Sequence, residues 1–308
     1  MNGFELKPFE KYQDRIQENV PLSRWSRVLC GGPAAGLISA ESSAVLEDLL
    51  KICTENGIRC RVLGNLSNIL FSDSGYDGLI ILNRTKSVIR QGNEITSDSG
   101  NILLKFVRRC SEEGLCGIEW AAGIPGTIGG AVYGNAGAFG SEIKDVVKNV
   151  RIFDPEKGEY TLTRDEMAFA YRSSILKRHE RNGIILSVQF SLIDGNPEIC
   201  CRKMNETIAR RGQIHPEGMG SLGSVFKNPE GTHAGKLIED CGLKGTKIGT
   251  AEISEKHGNF FVTRPGAKSS DYLELIRLAR KKVKEQTGIE LEPEIEMIDS
   301  KGEIITNL

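Results

Sequence analysis

The stretch Gly117–Gly140, GIEWAAGIPGTIGGAVYGNAGAFG, restricts this chain more than any other segment. It is dense in glycine and alanine and nearly free of charge. Glycine permits positive φ, and without a Cβ it lets backbone N–H groups approach an anion closely. Gly123, Gly126, Gly129 and Gly130, followed by Asn135-Ala136-Gly137, suit a cradle for a pyrophosphate. A tightly packed pair of turns accounts for the same glycines, and the residues alone leave both readings open. The segment is not a dinucleotide fingerprint of the Rossmann kind, because GxGxxG between a strand and a helix is missing.

The rest of the chain narrows the class. Its 308 residues allow two domains, or one large and one smaller. A formal net charge of −1 gives no overall basic field for nucleic acid or a membrane surface. No apolar run approaches the roughly 20 residues of a bilayer span, and Met1–Val20 lacks the apolar centre of a signal peptide. The eight cysteines show neither CxxC pairs nor zinc-like spacing with histidine. Cys53 and Cys110 sit on apolar helical faces and read as small hydrophobes. The expectation is a cytosolic protein without a metal and with no obligate protein partner.

Helical periodicity over 44–54 ends at Gly57, and strands follow at Arg61-Val62-Leu63 and Leu79–Leu82. Asn101 is placed to cap a second helix carrying Leu103, Phe106, Val107 and Cys110. Strands at 148–153 and 184–192 flank a helix opened by a Thr163–Glu166 capping box. Asp194-Gly195-Asn196-Pro197 marks a boundary. Beyond it come helices near 198–211 and 233–241, a polar glycine-rich loop at 212–224 and a strand at Asn259–Thr263. A long amphipathic helix from Ser269 to about Gln286 and a strand pair at 291–298 and 303–306 close the chain.

Several residues carry chemistry in principle. Gly231–Leu237, GTHAGKL, has too few residues between its glycines for a phosphate loop, and leucine stands where Ser or Thr binds magnesium. Ser224, in SLGSVFKNP, can transfer a proton if a partner orients it, but a lone loop serine is more often structural. Arg172, in YRSS, can hold a carboxylate or oxyanion through paired N–H donors; a surface ion pair is its commoner fate. Glu294 alternates with apolar neighbours and is either buried as an acid or turned to water.

In this order the blocks resemble the UDP-N-acetylenolpyruvoylglucosamine reductase family. The resemblance spans about residues 21–298 and is carried by AGIPGTIGGAVYGNAGAFG (122–140), AYRSS (170–174), GSVFKNPEG (223–231), AGKLIEDCGLKG (234–245) and ISEKHGNFFVT (253–263). The chain is similar to the shorter form, which lacks a substrate-covering insertion. The resemblance implies an α+β fold: a two-subdomain FAD-binding unit of the vanillyl-alcohol-oxidase (PCMH) type at 1–196, with subdomains at about 1–85 and 86–196. A C-terminal α+β substrate-binding domain would occupy 197–308.

The resemblance also implies site residues. Gly64, Asn65, Leu66, Ser67 and Asn68 would form one wall around the FAD pyrophosphate. Gly123, Pro125, Gly126, Thr127, Gly129, Gly130, Asn135, Ala136 and Gly137 would form the other. NADPH would donate a hydride through the flavin to a nucleotide sugar. Arg172 and Glu294 would stabilise charge on the substrate, and Ser224 would deliver the proton. Arg211, Asn228 and His257 match positions on the substrate side.

The chain departs from the family at three places. Leu66 stands where glycine is usual, and a left-handed backbone there costs on the order of 1 kcal/mol, which would weaken FAD binding. Trp25–Cys30 lacks the usual threonine-rich run. Glu296 replaces a frequent basic residue, removing part of the expected anion binding. A flavin-free paralogue acting as a binding or regulatory protein is the rival reading, and an oxidase of the wider fold is a third.

Overall fold

A nearly continuous apolar run in Tyr76–Asn83, buried along seven of its eight positions, builds the centre of the first sheet. Parallel strands covered on both faces read this way. In the computed structural model, which describes residues 5–216 and 218–306, this strand lies between Pro33–Ala40 and Cys60–Leu63, parallel to both. Gln17–Pro21 adds an antiparallel edge. Helix α1 (Ser43–Glu55) lays Leu46, Leu49, Leu50 and Cys53 against one face. Ser42 caps it by accepting the Val45 N–H at 3.3 Å.

The second unit is an antiparallel sheet in the order Gly158–Thr163, Val147–Asp154, Ile184–Ser191, Glu94–Asp98, Val88–Gln91. Helices α2 (Leu103–Glu112) and α3 (Ile128–Tyr133) share its core. Helix α4 (Pro197–Ile214) opens at Asn196, whose side chain accepts the N–H of Glu198 and Ile199. Met204 of α4 is buried in this same core.

The C-terminal part has an antiparallel sheet, Gly220–Ser224, Phe260–Thr263, Ala251–Ile253, Lys247–Ile248, with α5 (Ala234–Asp240) and α6 (Ser269–Thr287). Helix α6 buries Tyr272, Leu275, Ile276, Ala279 and Val283, and each large side chain contributes about 1.5–3 kcal/mol. Left-handed Gly288 ends it. Val28, Cys30 and Leu70 of the first unit enter this third core. Glu296–Ile298 then pairs in parallel with Ile69–Phe71. That pairing carries the chain back beside Asn68.

Several local expectations are corrected. Asn101 does not cap α2: its Nδ2 donates to Ser87 O and Ser97 Oγ, and Ile102 occupies the cap position. Thr163 and Glu166 do exchange hydrogen bonds, but they close only a turn. Positive φ at Ala168 and Arg172 stops a right-handed helix from continuing. Among the described C-terminal residues only Glu296–Ile298 is a strand, and Ile304 makes a single bridge to Ile298. Cys53 and Cys110 are buried among apolar groups, whereas Cys116 and Cys200 are joined to each other. Residues 1–4 of the Met1–Val20 stretch, and Glu217 of the polar loop, lie outside the described residues. No helix among those described is long and apolar enough to cross a membrane.

Candidate functional site

Two glycine-bearing walls meet where the first and second units face each other. The first, Gly64–Asn68, leaves the strand Cys60–Leu63. Arg84 supports it, donating from Nη1 to Gly64 O at 2.9 Å and to Asn65 Oδ1 at 3.4 Å. Leu66 adopts a left-handed backbone (φ 46°), so of the two requirements that would penalise leucine here, positive φ and close approach to phosphate, the first is met. Its side chain is 3% exposed in a core with Leu22, Leu63 and Phe71. Burial of that side chain, worth about 1.5–3 kcal/mol, offsets the backbone strain of roughly 1 kcal/mol.

The second wall touches the first. Ser67 Oγ donates to Pro125 O at 3.2 Å. A Cβ on Gly64 would lie 2.8 Å from Thr127 Cγ2, and one on Gly126 3.1 Å from Ser67 Oγ. Gly123 and Gly126 both have positive φ. Among the described residues, no hydrogen bond engages the N–H of Asn65, Leu66 or Ser67, while the carbonyls of Leu66 and Asn68 accept from Arg27 and Glu296. A bend with free N–H groups against a glycine-lined wall fits a pyrophosphate.

Not every residue of the second wall faces that bend. Gly129 packs on Ser99, where a Cβ would come within 2.9 Å of Ser99 Cβ. Gly130 donates its N–H to Thr127 Oγ1 at 3.4 Å. Asn135 is fully buried with its amide committed: Nδ2 to Glu142 and Ala170 O, Oδ1 from Lys144 N–H. It fastens the wall to the Arg172 turn. The Ala136 carbonyl accepts from Ile143.

Ala170 and Ser173 exchange both backbone hydrogen bonds, leaving Tyr171 and Arg172 at the tip of a tight turn, with Arg172 at φ 54°. The Arg172 guanidinium donates from Nη2 to Gly137 O at 2.9 Å and pairs through Nε with Glu294 Oε1 at 2.8 Å. A Cβ on Gly137 would stand 2.9 Å from Arg172 Nη1, so glycine there lets the guanidinium reach the wall.

Glu294 is held by backbone on two sides. Its N–H donates to Val225 O at 2.8 Å, and its carbonyl accepts from Asn68 Nδ2 at 3.1 Å. Ser224 immediately precedes Val225 at the end of its strand, opposite Phe260. Two proposed catalytic side chains are therefore in contact, and the loop bearing the third is hydrogen-bonded to the backbone of Glu294. Burial pushes the Glu294 carboxyl above the usual range, and the nearby Arg172 charge pulls it part of the way back.

The residues matched to the substrate side lie around this loop. Arg211 projects against Gly123; its Nε is buried without a partner, and burial lowers its pKa to about 10. Asn228 accepts the Ala234 N–H at 3.1 Å, and its own N–H meets the Tyr171 hydroxyl at 3.4 Å. His257 Nδ1 accepts the Asn259 N–H. Glu296 brings its own counter-charge: Arg61 Nη2 lies 3.0 Å from its carboxylate, and both side chains are largely buried.

Sequence reasoning missed Arg84, Lys177 and Asn259. Lys177 is buried enough for its ammonium to lose its proton more readily, and it faces the charges of Glu296 and Glu294. Asn259, 3% exposed, exchanges both side-chain hydrogen bonds with the Phe226 backbone, at 2.9 and 2.8 Å. Its signal was a polar residue opening the apolar run NFFVT. Asn259→Ala leaves a buried N–H and C=O unpaired and is expected to destabilise the fold by about 2 kcal/mol. A urea titration with unchanged m-value would register this, and an unshifted midpoint would contradict it.

His215 stacks on Phe260 with ring centroids 4.5 Å apart, and His257 lies on the same ring at 4.7 Å. Burial first, then Arg211, His257 and Lys256, lower the His215 pKa to about 4. The folded state thus disfavours the proton relative to the unfolded state. This contribution to stability is complete above about pH 6.5 and is lost as pH falls through about 4. His215→Phe keeps the stacking without the proton. Its stability should fall less than wild type over that window, by on the order of 1–2 kcal/mol after allowing for partial exposure. Parallel acid limbs for the two proteins would refute this.

Comparison with known proteins adds an independent line. A family described as FAD binding domain matches residues 34–163, and one described as UDP-N-acetylenolpyruvoylglucosamine reductase, C-terminal domain, matches 215–298. The chain is 41% identical over 296 residues to the UDP-N-acetylenolpyruvoylglucosamine reductase of Lactobacillus acidophilus, covering 96% of this chain and 98% of that one. It is 43% identical over 291 residues to that of Caldicellulosiruptor bescii, covering 94% and 91%. The crystal structure of the reductase from Thermus caldophilus superposes with TM-score 0.79 at 34% identity, over 92% of this chain and 98% of that one.

Proposed function

The chain belongs to the UDP-N-acetylenolpyruvoylglucosamine reductase family, and on that footing we propose that it reduces the enolpyruvyl double bond of UDP-N-acetylglucosamine enolpyruvate to UDP-N-acetylmuramate, with NADPH as hydride donor. It is an FAD-dependent oxidoreductase with the PCMH-type α+β fold, and its family serves peptidoglycan precursor synthesis. The free N–H groups of Asn65, Leu66 and Ser67 would hold the pyrophosphate of FAD, with Gly123–Gly137 as the opposite wall. Bound FAD supplies hydride transfer from NADPH to the terminal methylene carbon of the substrate.

The chain's own residues handle the charge and the proton. Hydride addition at the methylene carbon leaves negative charge delocalised onto the substrate carboxylate. Arg172, fixed by Gly137 O and Glu294, turns its remaining N–H donors toward that charge. Glu294, whose carboxyl is pushed above the usual range by burial, orients the Arg172 guanidinium through Oε1, and in its protonated form it adds a hydrogen bond to that charge. Ser224 Oγ gives a proton to the carbon bearing the carboxylate, which completes the lactyl ether, and recovers one from solvent. Arg211, buried beside Gly123 with an unpaired Nε, together with Asn228 and His257, receives the anionic nucleotide end.

The observation that carries this reading is the Arg172–Glu294 pair, joined to one wall through Gly137, to the other through Asn68 and to the Ser224 loop through Val225. The flavin-free alternative is not favoured, since the first wall accommodates Leu66 and the FAD binding domain matches. We place the enzyme in the cytoplasm with its soluble substrates. Incubation with NADPH in heavy water tests the reaction. The product should carry solvent deuterium beside the carboxylate, and one NADPH should be oxidised for each nucleotide sugar reduced. NADPH oxidation that does not depend on the enolpyruvyl sugar would refute the assignment.

A further inference from the structure

The structure places a second group of chemically capable side chains in and beside the loop that leads into the Gly123–Gly137 wall. Cys116 ends a short strand, Leu115–Cys116, and Cys200 lies in the first turn of α4, with Cα atoms 5.7 Å apart. Glu119 follows within the same loop. The ligand atoms of Cys116, Glu119 and Cys200 all lie within 4.8 Å of one another. Glu119 is only 7% exposed. Its Oε2 accepts the Gly117 N–H at 2.7 Å, while its Oε1 is buried and has no hydrogen-bond partner. An orphaned carboxylate oxygen costs about 1–3 kcal/mol or more, and a disulfide between the neighbouring sulfurs offers it no donor.

The surroundings are built for these groups. Gly195 makes room, since a Cβ there would lie 2.5 Å from Cys116 Sγ, and its N–H is tied to Gly114 O at 2.8 Å. Trp120 Nε1 donates to Gly117 O at 3.1 Å, which steadies the loop whose N–H orients Glu119. Metal-bound carboxylates are held by outer hydrogen bonds of this kind. Glu119 also lines a surface groove together with Gly117, Trp120, Lys203 and Thr207.

We propose that Cys116, Cys200 and Glu119 form a binding site for a thiophilic divalent cation of the zinc class when the two sulfurs are reduced. Thiolate sulfur and carboxylate oxygen are each Zn(II) ligands, and three protein ligands leave a fourth tetrahedral position open to water. Zn–S bonds of about 2.3 Å in tetrahedral geometry separate two sulfurs by roughly 3.8 Å, within reach of side-chain rotation from these Cα positions. A thiol reductant first supplies the two electrons and two protons that open the Cys116–Cys200 disulfide; metal binding then displaces a proton from each thiol and gives Glu119 Oε1 its missing partner. The two sulfurs lie 84 residues apart, so their spacing in the sequence gives no sign that they meet.

The test uses the intact flavoprotein, reduced with a phosphine that is then removed. Cobalt(II) should bind one per chain, producing a near-ultraviolet thiolate-to-metal band that zinc(II) abolishes. Zinc should also protect two thiols from a disulfide reagent and release two protons. Cys116→Ser or Cys200→Ser should remove the band, and Glu119→Gln should weaken binding at least tenfold, whereas Cys201→Ser should leave it unchanged. Zinc protection of wild-type thiols provides a readout should a cysteine variant fail to fold. No cobalt band in the reduced protein, or a band indifferent to Cys116, Cys200 and Glu119, would overturn the proposal and leave the pair a disulfide or dithiol only.

Discussion

Ser224→Ala should lower turnover of the enolpyruvyl nucleotide sugar by about a hundred- to ten-thousand-fold, the range ascribed to a positioned general acid. The flavin should still be reduced by NADPH at close to the wild-type rate, because no proton from Ser224 is needed in that half-reaction. The geometry makes the separation clean. The Ser224 loop is positioned by backbone bonds, Val225 N–H to Asn259 O and Glu294 N–H to Val225 O. Removing one hydroxyl leaves those bonds and the Arg172–Glu294 pair in place. Rapid-mixing spectra would show prompt bleaching with NADPH followed by very slow return of colour on adding substrate. Normal return of colour would exclude Ser224 as proton donor. Equal slowing of both half-reactions would point instead to a disturbed site.

Gly64→Ala should cost the protein its cofactor, raising the FAD dissociation constant at least a hundredfold. The added methyl would stand 2.8 Å from Thr127 Cγ2 and 3.2 Å from Thr127 Cβ. Thr127 cannot swing away freely, because its hydroxyl caps α3 by accepting the Gly130 N–H. The two walls must separate instead. Separation also stretches the Ser67–Pro125 hydrogen bond and the support that Arg84 gives to Gly64 O. Gly130→Ala makes a matched control in the opposite wall, since its Cβ would meet nothing nearer than Thr127 Oγ1 at 3.7 Å. Flavin content after gel filtration reads both variants. Full retention of FAD by Gly64→Ala would show that the walls are not held as described.

Local signals proved legible where a single element explains the residue. The periodicity of Tyr272, Ile276, Ala279 and Val283 is the buried face of α6, and Asp194–Asn196 leads into the Asn196 cap of α4. The glycines of the second wall announced close approach without saying to what. Gly64 and Gly126 meet the opposite wall, Gly137 meets Arg172, and Gly129 meets only Ser99. Periodicity cannot distinguish these cases, since each depends on a partner distant in sequence.

The same limit hid the rest. Arg84 acts on Gly64, Asn259 on Phe226 and Cys200 on Cys116, all across the fold. The Thr163–Glu166 box failed in the opposite direction: its local bonds form as expected, but the next residues turn left-handed to bring Arg172 to Gly137. There the requirement of the site overrides local preference. Leu66 shows a compensation that sequence could not reveal, because the core receiving its side chain is assembled from separate strands.

We propose that the two walls hold FAD, the hydride donor to the enolpyruvyl nucleotide sugar, and that Arg172, Glu294 and Ser224 stabilise the resulting charge and supply the proton. The most direct measurement is the visible spectrum of the purified protein under anaerobic conditions, first with NADPH and then with that sugar. The account predicts a bound flavin that bleaches with NADPH and regains its colour on addition of the sugar. A colourless protein that cannot be reconstituted with FAD, or a reduced flavin that the sugar leaves bleached, would contradict it.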